Sequence, residues 1–196
     1  MVAPSVDKGP RCSPDAQEPP PGAVYAAQVV RPASALTVQP ARPDEFDRIA
    51  ELTVRVYVEG GLASAGYTAD LADVAGRSTR SQLLVVRDED GRVIGSVALV
   101  LSGDFGEVTA SDDEAAFRML VVAPEAQGRG VGELLVRTCL DLARAAGKRR
   151  MVLSTGPAMT AAHRLYERLG FRRLPERDWT PVPGIDLMVY ALELQP

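Results

Sequence analysis

From about residue 35 onward, apolar residues follow two patterns along the chain: short continuous runs and helical spacing. The runs at 83–87 and 93–100 are bounded by turn residues and predict two strands. An acidic tetrapeptide ending in Gly91 separates them, which is typical of a hairpin. Other short apolar runs predict strands at 35–39, 151–154, 171–174 and 187–194.

The stretch 117–147 joins the clearest strand to the clearest helix. Residues Phe117 to Val122 are typical of a buried strand, and Pro124 ends it because proline cannot donate to a sheet ladder. From Val131 onward, apolar residues recur at helical spacing and charged residues take the opposite side. Gly147 suits the left-handed residue that closes such a helix. The unit is therefore a strand, a tight turn and a helix.

Three further segments predict helices. The first runs from about residue 43 to 57, with Pro43 at its start and acidic residues in its first turn. The second spans 68–75 with Thr68 as its N-cap, and the third spans 159–169. Together with the strands, this order predicts a mixed α/β (α+β) domain, antiparallel in its first half, with one strand–helix–strand crossover.

The turn before the main helix has a chemical use. Gly128, Gly130 and Gly132 leave the first N–H groups of that helix open to a large anion such as a pyrophosphate. A P-loop is excluded because Gly-Lys-Ser/Thr is absent. The dinucleotide fingerprint is excluded because Glu133 stands where its third glycine is needed.

Residues 1–34 differ in composition from the rest. Eight of the fifteen prolines lie in residues 1–40, and no apolar period is sustained there. We expect a disordered or loosely attached Pro-rich tail over 1–34 and one domain over 35–196.

Charge and cysteine usage exclude several classes of protein. A net charge of −4 argues against a nucleic-acid binder. No apolar run reaches the roughly 20 residues that cross a bilayer. Cys12 and Cys139 form no disulfide framework, so a reduced, cytoplasmic setting is the expectation. Histidine, cysteine and carboxylates show no metal-ligand spacing, so we expect no metal site.

Two motifs carry a resemblance to a known family. The Q-x-x-G-x-G pattern at 127–132 and the A-x-x-x-Y-x-x-x-G-F pattern at 162–171 resemble the signatures of the GNAT superfamily of acyl-CoA-dependent N-acyltransferases. The similarity covers roughly residues 36–194. It implies a central mixed sheet of six to seven strands, about four flanking helices and a splayed central strand pair. It also implies acetyl-CoA as co-substrate.

The resemblance further implies which residues hold coenzyme A. The pantetheine arm would pair with the main chain of the central strand, and the pyrophosphate would bind the N–H groups of the glycine turn, with Arg129 adding charge. The implied residues are Leu120, Val121, Val122, Gln127, Gly128, Arg129, Gly130, Val131 and Gly132.

Catalytic roles follow from the same resemblance. Tyr166 stands at the position of the tyrosine that protonates the leaving thiolate. The family often carries a glutamate at the position of Ala116, and that carboxylate is missing here. Glu114 lies two residues earlier and would share a strand face with it. It is the candidate base, directly or through water, or else a solvated strand end; Asp112 and Asp113 are weaker alternatives.

The acceptor site is less specified. In the family a helix pair and its loop cover it, which makes Tyr57, Glu59 and Tyr67 candidate substrate contacts or else packing residues. Trp179, in a predicted loop at 175–184, would form a wall of the acceptor pocket or a subunit interface.

Two other positions bear on the site. Met159 replaces an asparagine of the family, which puts one cofactor contact in question. His163 is one helical turn from Tyr166 and is either near the sulfur or a packing residue.

The sequence leads to two functional hypotheses. The first is an N-acetyltransferase that moves an acetyl group from acetyl-CoA to a primary amine, on a small molecule or a protein, by direct attack in a ternary complex. The second is a catalytically silent acyl-CoA-binding sensor. A monomer or a homodimer is expected, without nucleic acid or membrane as partner.

Overall fold

The computed structural model describes residues 36–63, 65–103, 109–182 and 185–194. The predicted tail at 1–34 lies outside these residues. The described part forms a mixed sheet flanked by helices. Its strands are β1 Val38–Pro40, β2 Gln82–Arg87, β3 Val93–Val100, β4 Glu114–Val122, β5 Arg150–Thr155, β6 Arg172–Arg173, β7 Trp179–Val182 and β8 Ile185–Glu193.

The sheet has the order β1-β2-β3-β4-β5-β8-β6, and β7 pairs with β8 beside this path. All neighbours are antiparallel except β4 and β5, which run parallel. The α-helices of the described residues are α1 Phe46–Val54, α2 Thr68–Ala72, α3 Val74–Ser78, α4 Val131–Ala145 and α5 Thr160–Arg168. The mixed α/β fold is confirmed, with eight strands and five helices in place of the six to seven strands and about four helices expected.

Three predicted elements differ in detail. The helix expected over 68–75 is broken in two at Asp73, whose side chain accepts a hydrogen bond from the Gly76 N–H and so caps α3. The helix expected to reach residue 57 instead widens into a π-helical segment at Arg55–Glu59. The predicted loop at 175–184 contains β7, in which Trp179 pairs with Leu187 of β8. Pro181 is tolerated in β7 because β7 pairs with one strand only.

Helix α4 lies closely against the sheet. A Cβ on Gly95 of β3 would stand 2.6 Å from the Val131 side chain and 3.2 Å from that of Leu135. Only glycine therefore fits at this crossing. The buried face of α4 is Val131, Leu135, Val136, Cys139, Leu140 and Ala143. The contact fixes the beginning of α4 next to β3 and β4.

The parallel strands β4 and β5 separate partway along their length. They pair only from Glu114 to Ala116 on β4, opposite Arg150 to Val152 on β5. Beyond this point β4 bulges, because Met119 and Leu120 stand where β3 offers one residue, Val97. Met119 has a φ of 52°, a left-handed conformation that a side chain adopts at a cost of about 1 kcal/mol or more. The bulge turns β4 away from β5, so the expected splayed pair is present.

Two features are absent from the described residues. In that part of the chain no helix is both long and apolar enough to cross a membrane. The same residues contain no group of three or more histidine, cysteine or carboxylate side chains placed to hold a metal ion.

Candidate active site

A cavity of about 680 Å³ occupies the gap between β4 and β5. Its walls come from β4, from Leu153 to Thr155 on β5, from the beginning of α4 and from α5. Because β4 and β5 are unpaired here, the peptide groups on the facing edge of β4 are available to an elongated ligand that pairs as an added strand. Leu120 and Val122 line this cavity, whereas Val121 is a buried core residue.

The glycine turn forms one end of this first cavity. Gly128 and Gly130 have φ angles of 73° and 80°, and a Cβ on either would meet no atom within 4 Å. The space beside them is therefore open for a ligand. Gly130 is also the N-cap of α4, a helix of 15 residues, so the first N–H groups of α4 and the positive end of its dipole lie at this end of the cavity.

The charges around the first cavity differ partly from the expectation. Of the predicted pyrophosphate contacts, Gln127, Gly128, Gly130, Val131 and Gly132 line it, and the exposed Arg129 is not among the described lining residues. Arg164 and Arg168 of α5 line the cavity instead. Arg168 donates to Glu133 at 3.3 Å, which ties α5 to the beginning of α4.

Tyr166 lines the same cavity from α5 and is 5% exposed. Its ring packs against Phe117 of β4 and against Phe171, with centroids 5.8 Å away in both contacts. Burial, with smaller contributions from Tyr57 and Cys139, raises the pKa of the Tyr166 hydroxyl well above its usual range. The hydroxyl is therefore protonated at neutral pH and can act as a proton donor.

A second cavity of about 710 Å³ adjoins the first. The residues common to both linings are Tyr57, Leu62, Arg118, Met119, Ser154, Thr155, Ala158 and Met159. The bulge residue Met119 thus lies at the boundary between the two spaces. The second cavity also has polar and charged lining residues, namely Tyr67 just before α2, Asp70 in α2 and Asp186 in β8. Two molecules bound in these cavities would meet across the gap in the sheet.

Tyr57 is the predicted acceptor contact that lies at both cavities. It belongs to the π-helical segment, and its carbonyl accepts hydrogen bonds from the N–H groups of Leu62 and Ala63, which folds the following loop back. Burial, with a smaller contribution from Tyr67, raises the pKa of Tyr57 to about 12, although Arg118 and Arg77 lower it. Segments of this kind are frequent at functional sites.

The other predicted acceptor contacts occupy different places. Tyr67 lines the second cavity. Glu59 is exposed and, among the described residues, lines neither cavity. Trp179 is also absent from both described linings and packs instead against the small cluster of Val100, Ala116, Val152 and Ala191 on the sheet.

Glu114, the candidate base, is likewise absent from the described linings of both cavities. It lies at the beginning of β4, where the strands are still paired, and its carboxylate accepts hydrogen bonds from Arg177, Arg150 and the Ala110 N–H. Ala116 is 1% exposed in the cluster next to Trp179 and, like Glu114, is absent from the described linings of both cavities. Geometry thus brings Tyr166 to the gap and leaves Glu114 outside it.

Met159 and His163 both form contacts with the turn between β5 and α5. Met159 lines both cavities, and its sulfur accepts a hydrogen bond from the Thr155 hydroxyl at 3.3 Å. His163 stacks on Tyr190 and lies 3.1 Å from the Gly156 carbonyl oxygen through its Nε2. His163 therefore contacts this turn and is absent from the described linings of both cavities.

Several lining residues were not singled out by sequence reasoning. Arg118 was included in an apolar strand, because a single cation in such a run carries no periodic signal. Arg164 and Arg168 line the first cavity from α5. Their spacing of four residues places them on one face of a helix, so the sequence could have identified them as a pair. Asp70 and Asp186 come to one cavity only through the fold, since 116 positions separate them in the chain.

Comparison with known proteins gives one family. The model of the acetyltransferase (GNAT) family matches residues 46–171. A probable N-acetyltransferase, camello, from Xenopus tropicalis is 32% identical over 115 residues, which are 58% of this chain and 50% of that protein. Human N-acetylaspartate synthetase is 32% identical over 98 residues, 50% of this chain and 30% of that protein. The matched region thus spans half or less of these two relatives.

Solved structures agree on the fold. A GCN5-related N-acetyltransferase from Kribbella flavida is 26% identical with a TM-score of 0.60, covering 82% of this chain and 98% of that one. The structure of yncA from Salmonella typhimurium with its cofactor acetyl-CoA has a TM-score of 0.58 at 24% identity, covering 83% and 96%. At 24% identity, the similarity to yncA shows the fold alone.

Proposed function

The chain belongs to the acetyltransferase (GNAT) family, and we propose that it transfers an acetyl group from acetyl-CoA to a primary amine by direct attack in a ternary complex. One observation carries this proposal: two cavities meet at the gap between β4 and β5, with Tyr166 lining the first. Such an arrangement lets a thioester and an amine approach each other without a covalent enzyme intermediate. Alignment of the two reactants then supplies much of the rate.

The first cavity suits acetyl-CoA. The open space beside Gly128 and Gly130, at the positive end of α4, suits a pyrophosphate. The unpaired edge of β4 at Leu120 and Val122 suits the amide groups of the pantetheine arm. Arg164 adds positive charge at the rim, whereas Arg168 is paired with Glu133. In this arrangement the acetyl group lies toward the shared part of the two linings.

The chemistry needs three contributions. The acceptor must be a neutral amine when it attacks, since an alkylammonium has a pKa near ~10.4 and no lone pair. The carbonyl oxygen becomes negative and needs a donor, and we propose an N–H group of the bulged part of β4 for this role. The thiolate that leaves must take up a proton, and Tyr166 is the proposed donor, a task worth about 10²–10⁴ in rate.

The amine proton needs an acceptor at the second cavity. Asp70 and Asp186 carry the carboxylates of its described lining, and we propose that one of them receives the proton directly or through water. Glu114 is unsuited because arginine side chains and a main-chain N–H already bind both of its oxygens.

A single experiment tests the proposal. Thiol release from acetyl-CoA is measured with a panel of primary amines for the wild type, Tyr166→Phe and Tyr190→Phe. Tyr190 is a matched control, because it is buried in ring contact with Tyr166 but binds Glu167 through its hydroxyl. We expect amine-dependent thiol release that falls at least about ten-fold in Tyr166→Phe and stays near wild type in Tyr190→Phe.

Other outcomes would change the assignment. Tight acetyl-CoA binding without thiol release for any amine would favour the acyl-CoA-binding sensor. Equal activity of wild type and Tyr166→Phe would remove Tyr166 as the acid and leave the transferase assignment in place. Absence of acetyl-CoA binding would contradict the role of the glycine turn.

A further inference from the structure

Arg118 lies at the boundary between the two cavities and lines both of them. It is half-buried and immediately precedes the bulge at Met119. The planar fork of an arginine presents paired N–H donors that match the two oxygens of a carboxylate. An arginine in this position therefore favours an anionic group close to the place where the reactants meet.

A second arginine, Arg77, lies near Arg118 but outside both described linings. Arg77 is 4% exposed, and its guanidinium donates to the carbonyl oxygens of Asp70 and Leu71 at 2.9 Å each. Arg77 and Arg118 both act on the Tyr57 hydroxyl, whose pKa they lower against the larger effect of burial. Arg118 and Tyr57 line both cavities, whereas Arg77 acts on Tyr57 from outside the described linings.

Carboxylates line the second cavity from two elements, Asp70 from α2 and Asp186 from β8. Asp186 lines it and is held in place by the Thr180 hydroxyl, which donates to Asp186 Oδ1 at 2.7 Å. Apolar residues of β8, Ile185 and Leu187, lie beside it in the lining. A ligand that carries both a cation and an anion, on a short apolar body, is complementary to a cavity with this distribution of charge.

We infer that the acceptor is a free α-amino acid, whose carboxylate Arg118 binds and whose amine is acetylated. This inference rests on the proposed function. Arg118 belongs to both linings, so a carboxylate bound there lies near the attacking amine, and one carbon separates these two groups in an α-amino acid. The N-terminus of a peptide would place a neutral amide at Arg118 and lose the charge-assisted pair.

In the reaction, the amino acid binds with its carboxylate at Arg118 and its ammonium toward the carboxylates of the cavity. The ammonium gives up one proton to a carboxylate or to water. The nitrogen lone pair then forms the N–C bond with the acetyl carbonyl, and the C–S bond breaks. The sulfur takes the proton of Tyr166. The nitrogen releases its second proton as the amide forms, and this proton restores the Tyr166 hydroxyl through water, so the products are an N-acetyl amino acid and free coenzyme A.

The test compares matched acceptors on the wild-type protein. The acceptors are L-aspartate, L-methionine and L-phenylalanine, each beside its α-amide and a dipeptide that begins with the same residue, together with phenethylamine as decarboxylated phenylalanine. A site built to bind a polar group discriminates strongly against analogues that lack it. We expect kcat/KM for at least one free acid to exceed that of its amide, its dipeptide and its decarboxylated amine by about 100-fold or more.

Variants then assign the preference to one residue. Arg118→Gln removes the guanidinium group and its charge. Arg118→Lys keeps the positive charge without the planar pair of N–H donors. Arg92→Gln is the control, since Arg92 is an exposed arginine of the β2–β3 turn outside both described linings. We expect Arg118→Gln to bring the ratio of kcat/KM for the free acid to kcat/KM for its amide close to one, mainly by raising KM for the acid. We expect Arg118→Lys to keep part of the ratio, and Arg92→Gln to keep all of it.

The outcomes separate this inference from the proposed function. Transfer to amines with no preference for the free acid would overturn the inference and leave the N-acetyltransferase in place. Preference for the dipeptides would overturn it in favour of a peptide N-terminus. An acid preference that survives Arg118→Gln would also overturn it. Failure of every amine, with or without acetyl-CoA binding, would overturn the proposed function and this inference together.

Discussion

The Glu114 carboxylate binds the Arg177 guanidinium through both oxygens, at 2.8 Å and 3.0 Å. This pair joins the beginning of β4 to the turn that precedes β7, across 63 positions of the chain. Arg150 of β5 adds a third contact at 3.3 Å. The group therefore fastens together the end of the sheet at which β4 and β5 are still paired.

The first prediction concerns stability. Glu114 is 5% exposed, and breaking a buried ion pair costs about 3–5 kcal/mol, so we expect Glu114→Gln to lower the free energy of unfolding by about 3 kcal/mol with kcat largely retained. Glu193→Gln is the control, because Glu193 also binds Arg150 but its side chain is 66% exposed, and we expect a loss below about 1 kcal/mol. Urea unfolding and acetyl transfer measure the two quantities. If Glu114→Gln unfolded in urea like the wild type but lost kcat, Glu114 would instead take part in catalysis.

The second prediction gives the pH dependence of that stability. Burial raises the pKa of Glu114, but hydrogen bonds from Arg177, the Ala110 N–H and Arg150 outweigh it, so the pKa lies below its ordinary value of 4.5. A carboxyl group with a lowered pKa stabilises the fold above its unfolded pKa, and this stabilisation is lost as pH falls through the folded pKa. The difference in unfolding free energy between wild type and Glu114→Gln should be constant from pH 8 to about 5 and shrink below about 4.5. A difference that stays constant at lower pH would contradict the ion-pair account.

The third prediction concerns the pH profile of catalysis. Burial holds the Tyr166 pKa above its usual range, so the proposed acid stays protonated through alkaline conditions. We expect kcat of the wild type to show no decline attributable to tyrosine ionisation between pH 8 and about 10. Steady-state kinetics at saturating acetyl-CoA and amine measure this profile. A descending limb in that range, absent from Tyr166→Phe, would show that the hydroxyl ionises within it.

The fourth prediction separates ligand binding from backbone strain at two glycines of α4. Gly130 and Gly147 flank this helix with φ angles of 80° and 72°, and a Cβ on either would meet no atom within 4 Å. Because both glycines are left-handed, alanine at either position should lower the free energy of unfolding by a similar amount, about 1–2 kcal/mol. Only Gly130 lines the first cavity, so only Gly130→Ala should weaken acetyl-CoA binding, by about ten-fold or more. Calorimetric titration and thermal unfolding measure both effects, and equal binding by the two variants would contradict the anion site.

The last prediction concerns the edge of β4. Amides of β4 beyond Ala116 that face the gap lack partners on β5, whereas Glu114 to Ala116 are paired with it. We expect acetyl-CoA to slow hydrogen exchange at Leu120 and Val122 and to leave the paired segment unchanged. Exchange measured by NMR with and without acetyl-CoA tests this point. Protection confined to other strands would exclude strand-like binding of the pantetheine arm.

Local patterns were sufficient where one periodicity extends over many residues. The strands β2 and β3 and the helix α4 match the sequence expectation closely, because buried runs and a helical stripe each leave a repeated signal. Asp73 breaks the predicted second helix because its side chain prefers to cap the next one, a competition that periodicity does not register. Strand β7 was missed because it is four residues long, contains Pro181 and, in the described part of the chain, pairs with β8 alone.

The site was predictable in its main chain and less so in its side chains. The glycine turn and Tyr166 belong to local motifs, and both lie at the first cavity. Glu114 shares a strand with Arg118, yet Glu114 lies where β4 pairs with β5 and is bound by Arg177, whereas Arg118 lies beyond the paired part. Neither the bulge nor the pairing of distant charges leaves a signal in a linear pattern.

The gap between β4 and β5 also has a consequence for solubility. Unpaired strand edges on the outside of a sheet invite pairing between molecules and lead to aggregation. Here the unpaired edges face each other in the interior of the sheet, with the ends of α4 and α5 beside them. The fold thereby keeps main-chain groups ready for an elongated ligand without offering them to another copy of the same chain.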